Sequence, residues 1–241
     1  MSAASRRLLP LYASPGYSYV QGTTQPAPRL RSSQGYLCED RMVYEIIKCA
    51  LDVVGAGALL LIALPLMIAI ALGVKLSSPG PIFFRQRRLG RDGKVFYCYK
   101  FRSMVCDAEV RLKQCPELWQ KFGQNYKLKC DPRVTSFGMF LRKTSLDELP
   151  QLWNVLRGDM SLIGPRPIVP PELDKYGFFG RKLLTVTPGL SGMWQVYGRS
   201  DTTYPERVRL DMSYIDARST LLDIKLLLLT MRAVVNRSGA Y

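Results

Sequence analysis

An aspartate and a glutamate, Asp147 and Glu148, stand together behind Arg142, Lys143, Thr144 and Ser145. Ahead of them lie Arg157, Asp159 and the rigid run Gly164-Pro165-Arg166-Pro167. Adjacent carboxylates among fixed cations suit chemistry on a phosphorylated substrate with a divalent metal. The acids can hold a hard cation such as Mg²⁺, and the arginines can grip phosphate oxygens in pairs. The chain contains no histidine, which excludes His-dependent triads, His zinc sites and imidazole bases. A carboxylate nucleophile fits that restriction, because with a reference pKa of about 3.9 it is ionised at neutral pH without a base. The same spacing has a structural reading. Ser145-x-x-Glu148 matches a capping box, with Thr144 and Asp147 as a second register. Acids in a first turn suit the helix dipole, and Pro150 fits there because its missing N–H is not needed. The two readings are compatible, since a helix N-terminus also points N–H groups at an anion.

The 241 residues, 47% of them hydrophobic, allow one substantial domain plus extras. A net charge of +15 favours an anionic partner: nucleic acid, anionic lipid or a phosphorylated substrate. The cysteines are Cys38, Cys49, Cys98, Cys106, Cys115 and Cys130, and no two form C-x-x-C. That argues against a zinc ribbon or redox motif and suits reduced, buried thiols.

The elements that must position the acids begin after a tail, residues 1–41, that mixes Arg, Ser, Pro, Gly and Tyr without periodicity. Val53 to Val74 carries no charge; as a helix this stretch would reach about 33 Å, enough to span a hydrocarbon core. A simple span conflicts with the charges around it. Arg29, Arg31, Arg41 and Lys48 precede the segment, while Lys75, Arg85, Arg87 and Arg88 follow it. Basic flanks stay cytoplasmic. A helix over 42–78 that enters, kinks at Pro65 and returns to the same face removes the conflict. Lys48 and Asp52 are one turn apart and can pair at the boundary. Ile82–Leu89 and Lys94–Met104 then read as two strands joined through Arg91-Asp92-Gly93, with Cys98, Lys100 and Arg102 on one face. Residues 85–102 hold seven cations and one acid. That pattern fits a phosphate-facing strand, a solvated edge or a nucleic-acid surface; the adjacent membrane segment disfavours the last. Residues 105–130 read as helical, with Trp119, Phe122 and Tyr126 near helical spacing for a core or a membrane interface. Thr187-Pro188-Gly189 reads as a turn and Met193 to Arg199 as strand then loop. Arg207–Ala217 and Leu221–Val235 read as helices, with the apolar run Leu226 to Leu229 buried in the domain or against lipid.

From about Val43 onward the chain resembles the bacterial sugar transferases, the monotopic phosphoglycosyl transferases. The resemblance rests on several stretches: the membrane segment with Asp52 and Pro65, Gln86-x-Arg88-x-Gly90, Lys100-Phe101-Arg102-Ser103-Met104 and Asp131-Pro132-Arg133-Val134-Thr135. It also rests on all of Leu141–Pro167, Pro188 to Gly192, Gly198-Arg199, Asp211 with Tyr214, and Asp223. Leu64 precedes the membrane proline where many members have Ser. The resemblance implies an α+β architecture: a re-entrant membrane helix followed by a small mixed α/β cytoplasmic catalytic domain, residues 79–241, with interfacial amphipathic helices. It implies transfer of hexose 1-phosphate from a UDP-sugar to polyprenyl (undecaprenyl) phosphate, releasing UMP, at the start of exopolysaccharide synthesis. Ser238-Gly239-Ala240-Tyr241 at the C-terminus favours galactose, then glucose. Asp147 would be the nucleophile of a ping-pong mechanism, and Glu148 would share Mg²⁺ with it. Lys100, Arg102, Arg142, Arg166 and Arg199 would bind substrate. The implied partners are the UDP-sugar, polyprenyl phosphate and the lipid bilayer, without nucleic acid and with a homodimer allowed. The implied location is the bacterial inner membrane, with the catalytic domain facing the cytoplasm.

Overall fold

The computed structural model describes residues 41–115, 131–197 and 202–235. The expected helix around Trp119 to Tyr126, Arg199, and the N-terminal tail up to residue 40 lie outside them.

Helix α1, Arg41–Ser77, runs for 37 residues, about 55 Å at 1.5 Å per residue. Its most apolar window has a mean hydropathy of 2.6 and is only 11% buried, so by length and composition it can cross a bilayer. It is not the core helix of a globular fold, which would be covered on all sides. One stripe of it leans on the rest of the protein. Tyr44, Ala56, Ile70 and Val74 are buried, and Lys48, Asp52, Leu60 and Met67 continue the same helical face. The opposite face presents Val54, Leu61, Ile62, Ile68 and Leu76. Pro65 lies within continuous helix, where it removes one N–H from the backbone ladder.

Both ends of α1 are tied to the mixed α/β domain by polar contacts. Near its start, Lys48 Nζ donates to Asp223 Oδ2 at 2.8 Å and to Ile163 O at 2.9 Å. Tyr44 OH donates to the same carboxylate oxygen, and Asp52 Oδ1 accepts from Leu162 N at 2.9 Å. Lys48 and Asp52 therefore do not pair with each other as expected; each reaches a separate partner across the interface. At the far end, Arg102 donates to Val74 O in the last turn of the helix, where carbonyls lack intrahelical partners, and to Ser78 O and Pro79 O just beyond it.

Strands β1, Phe83–Leu89, and β2, Val95–Phe101, form the expected antiparallel hairpin around a turn at Arg91–Gly93. Residue Asp92 takes φ 58° there, a conformation aspartate tolerates in turns. Helix α2, Ala108–Gln114, follows. Helix α3, Ser136–Lys143, is capped by Thr135, whose Oγ1 accepts from Gly138 N at 2.9 Å. Gly138 sits where a Cβ would fall 2.0 Å from Ser103 O, so only glycine lets α3 close onto the segment after β2. Helix α4, Gln151–Leu156, packs on α1 and leads into β3, Ser161–Ile163. A crossover through a 3-10 segment, Pro170–Phe179, and a short helix α5, Gly180–Leu183, returns the chain to β4, Gly189–Ser191. β4 pairs in parallel with β3.

The expected turn at Thr187 to Gly189 thus ends in a strand. The expected strand at Met193 is instead helix α6, Met193–Tyr197. Helices α7, Tyr204–Ala217, and α8, Thr220–Val235, complete the described chain. Tertiary packing overrides the β-propensity of α6: the Trp194 ring meets the Arg207 guanidinium of α7 at 4.8 Å. In α8 the apolar run divides, Leu226 being fully buried and Leu228 61% exposed. Among the described cysteines all are free, and only Cys98 is buried; Cys49 and Cys106 are exposed, against the expectation of buried thiols.

Candidate active site

Asp147 and Glu148 lie in a 3-10 turn, Leu146–Glu148, between α3 and α4. The expected capping box does not form. Ser145 adopts φ 56°, ψ 17° and its side chain caps nothing. A non-glycine residue in this left-handed region is strained, and such strain gathers at functional sites. Thr144 Oγ1 turns back to donate to Phe140 O at 2.8 Å. Glu148 turns the other way, toward β2 and the Gly164–Pro167 loop.

A single oxygen of Glu148, Oε1, accepts from Lys100 Nζ and from Arg166 Nη2, each at 2.6 Å. Burial pushes the Glu148 carboxyl up, but Arg166 and Lys100 outweigh it and hold it well below the usual carboxylate range. Glu148 in turn raises Arg166, against the effect of burial. Asp147 is different. It is 8% exposed, and among the described residues no hydrogen bond reaches its carboxylate. Lys100 Nζ stands 4.0 Å away. Burial raises the Asp147 pKa; Lys100 opposes the rise, Glu148 adds to it, and Arg142 and Arg166 oppose it. The result is one carboxylate neutralised by two cations beside one left open among them.

Arg142 reaches this group from α3, anchored by its Nε on Ser103 Oγ at 2.8 Å. Burial lowers its pKa, and Asp147 and Asp131 counter that. Asp131 is itself gripped by Arg133, whose Nε and Nη2 donate at 2.8 and 2.6 Å. The Arg166 loop is held from two sides. Arg88 Nη1 donates to Pro167 O at 2.9 Å and lies 3.7 Å from Glu172. Gly164 packs against Thr187 O and Gly189, where a Cβ would fall 2.7 Å from the carbonyl.

Of the residues singled out from sequence, Asp147, Glu148, Lys100 and Arg166 converge, and Arg142 joins them electrostatically. Arg102 does not. It is 6% exposed and its guanidinium is spent on the end of α1. Ser103, Arg88 and Glu172 support the site and were not singled out, although Ser103 and Arg88 lie inside the motifs that were.

The bacterial sugar transferase profile matches residues 43–237. The chain belongs to that family. It is 46% identical over 199 residues to an undecaprenyl-phosphate galactose phosphotransferase of Salmonella typhimurium, covering 81% of this chain and 42% of that protein. It is 42% identical over 208 residues to a UDP-glucose:undecaprenyl-phosphate glucose-1-phosphate transferase of Escherichia coli, covering 82% of this chain and 42% of that one. The exopolysaccharide production protein ExoY of Rhizobium meliloti is 39% identical over 223 residues, covering 89% of this chain and 99% of the relative. The chain therefore spans less than half the length of the first two relatives and nearly all of the third.

Proposed function

We propose that the protein is a phosphoglycosyl transferase that moves hexose 1-phosphate from a UDP-sugar to polyprenyl (undecaprenyl) phosphate, giving polyprenyl diphosphate sugar and UMP. Galactose is the first choice of sugar and glucose the second, following the names of the relatives. The observation that carries the reading is the Asp147 carboxylate, buried, without a hydrogen bond among the described residues, and in the field of Lys100, Arg142 and Arg166. An Asp147 oxygen attacks the sugar-linked phosphorus, and the phosphoanhydride bond breaks so that UMP leaves with the bridging oxygen. The acyl phosphate so formed is attacked by an oxygen of the lipid phosphate, which returns the carboxylate and transfers the phosphosugar. Two displacements replace one difficult step. Lys100 and Arg166 neutralise phosphate charge that grows in each displacement. Arg199, from the family motif, is assigned to the same substrate, and Arg102 to fixing the end of α1.

Mg²⁺ fits this reading in a restricted way. Among the described residues no group of three or more acids, cysteines or histidines converges, and Glu148 already answers two cations. Such a donor set suits an ion that takes most of its ligands from a diphosphate and water, with Asp147 and Glu148 as the protein's contribution. Bound there, the ion would supply charge neutralisation at the diphosphate.

We place α1 in the inner membrane as a re-entrant helix, with the catalytic domain in the cytoplasm. Two features support this: basic residues flank both ends, and both ends are bound to one domain. UMP release in detergent across a panel of UDP-sugars, with and without polyprenyl phosphate, tests the function. Without the lipid, about one UMP per active site is expected. Release only when lipid is present, with no protein adduct, would favour direct attack by the lipid phosphate.

A further inference from the structure

Asn154 takes no part in this chemistry, yet it is fully buried and its side-chain amide is engaged at both ends. Its Oδ1 accepts from Tyr99 N at 3.1 Å, and its Nδ2 donates to Tyr97 O at 2.8 Å. The same Nδ2 lies 3.3 Å from Asp159 Oδ2. β2 belongs to a two-stranded sheet, so β1 satisfies only one of its edges. On the other edge the Asn154 amide imitates one residue of a third strand, giving and receiving one hydrogen bond. The backbone of Asn154 is occupied as well: its carbonyl accepts from Asp159 N at 3.0 Å and Met160 N at 3.2 Å.

The position of this clamp matters. Tyr99 immediately precedes Lys100, and Asn154 follows Glu148 by less than two helical turns. β2 and the acid-bearing segment are thus joined twice, once by the Lys100–Glu148 ion pair and once by Asn154. The ion pair cannot set the distance by itself. Lysine reaches it on a flexible four-carbon stem, and a partly exposed pair holds geometry weakly. The Asn154 link is buried, short-stemmed and anchored to backbone. We infer that Asn154 is a positioning residue, fixing where Lys100 meets Glu148 and Asp147. The inference rests on the transferase reading above.

Asn154→Ala removes both bonds to β2, and Asn154→Ser keeps a hydroxyl in the event that alanine yields too little folded enzyme. The UMP burst from UDP-galactose and Mg²⁺ counts active sites, and turnover is then expressed per counted site. A displacement of about 1 Å in catalytic groups can cost about 10²-fold, so kcat per site should fall by tenfold or more, with serine between alanine and wild type. In a Lys100→Ala background, Asn154→Ala should cost little further, because the group it positions is gone. Wild-type turnover per site in the variants, with only the yield of folded enzyme reduced, would overturn the inference and leave the transferase standing. Full additivity with Lys100→Ala would also overturn it. A wild-type protein inert toward every UDP-sugar would remove the transferase reading, and the inference with it.

Discussion

Replacing Asp147 by asparagine should separate activity from stability in an uncommon direction. The side chain keeps its shape but loses its charge. No hydrogen bond is lost, because among the described residues none reaches the carboxylate. The attractions to Lys100, Arg142 and Arg166 are lost; the Lys100 contact at 4.0 Å is worth about 4 kcal/mol at an effective dielectric of about 20 before desolvation is counted. Desolvation of a buried ion opposes it by several kcal/mol. The balance is given by the pKa, which burial raises in spite of Lys100, Arg142 and Arg166. An acid whose folded pKa lies above its unfolded value stabilises the fold least when it is ionised. Asp147→Asn should therefore leave thermal stability unchanged or raise it. Its turnover should fall by about 10⁴-fold, or about 5 kcal/mol of barrier, since an amide is a poor nucleophile at phosphorus. The assay pairs thermal unfolding in detergent with UMP release and intact-protein mass. Wild type given UDP-sugar without lipid should gain one hexose phosphate on Asp147, and the variant none. A variant that turns over normally but melts early would make the acid pair a structural feature and refute the reasoning.

Single cysteines at Arg41 and Arg85, in a background lacking the native thiols, should both escape a membrane-impermeant reagent in intact cells; labelling of one alone would establish a crossing. At Ser145, glycine should be tolerated or stabilising because it relieves the left-handed backbone, whereas valine should lose about 1–2 kcal/mol. Equal unfolding midpoints for the two variants would mean that the turn does not hold φ 56° in solution. The Asp211 carboxyl, buried beneath Tyr176, is pushed up to about 6 by burial, against Arg207 and the Tyr176 hydroxyl. Its folded pKa exceeds the unfolded value of about 3.9, so its contribution to stability declines as pH rises from about 4 to 6 and stays low above that. Asp211→Asn keeps an acceptor for Tyr176 and should flatten that slope; an unchanged slope in thermal melts would exclude Asp211 as its source.

The acid pair and two of its cations were legible because charge and motif spacing are local properties. What escaped depended on where elements stop and what lies across the fold. Alternation put Lys100 and Arg102 on one face, and the pairing does continue to Arg102, whose N–H donates to Ile82 O, but the Arg102 guanidinium is taken by carbonyls at the end of α1. The capping pattern at Ser145 to Glu148 is correct in residue type. It fails because Lys100 and Arg166, distant in sequence, take the glutamate, and because Ser145 leaves helical space. Lys48 and Asp52 have ideal spacing for a pair within α1, yet Asp223 and the Leu162 N–H offer each a buried partner. Asn154 lay inside the Leu141–Pro167 motif but nothing local marked its role, since an asparagine inside a short helix reads as a weak helix former until the open edge of β2 is seen beside it.

These contacts also connect the apolar helix to the chemistry. Lys48 and Asp52 bind the backbone of β3 at Ile163 and Leu162. β3 runs straight into Gly164-Pro165-Arg166, and Arg166 shares the Glu148 oxygen with Lys100. From Lys100 the path continues along β2 to Tyr99 and Asn154, which returns it to the segment that bears Asp147. Every link is a hydrogen bond to backbone, an ion pair or a direct chain connection, so the path is short and unbroken. In the proposed reaction, with α1 in the bilayer, a lipid-linked phosphate must meet Asp147 at a fixed height above the membrane. The path running from α1 through β3, Arg166 and Lys100 is a means by which this fold can set that height, because a shift of α1 relative to β3 is passed along the chain from Leu162 and Ile163 to Arg166.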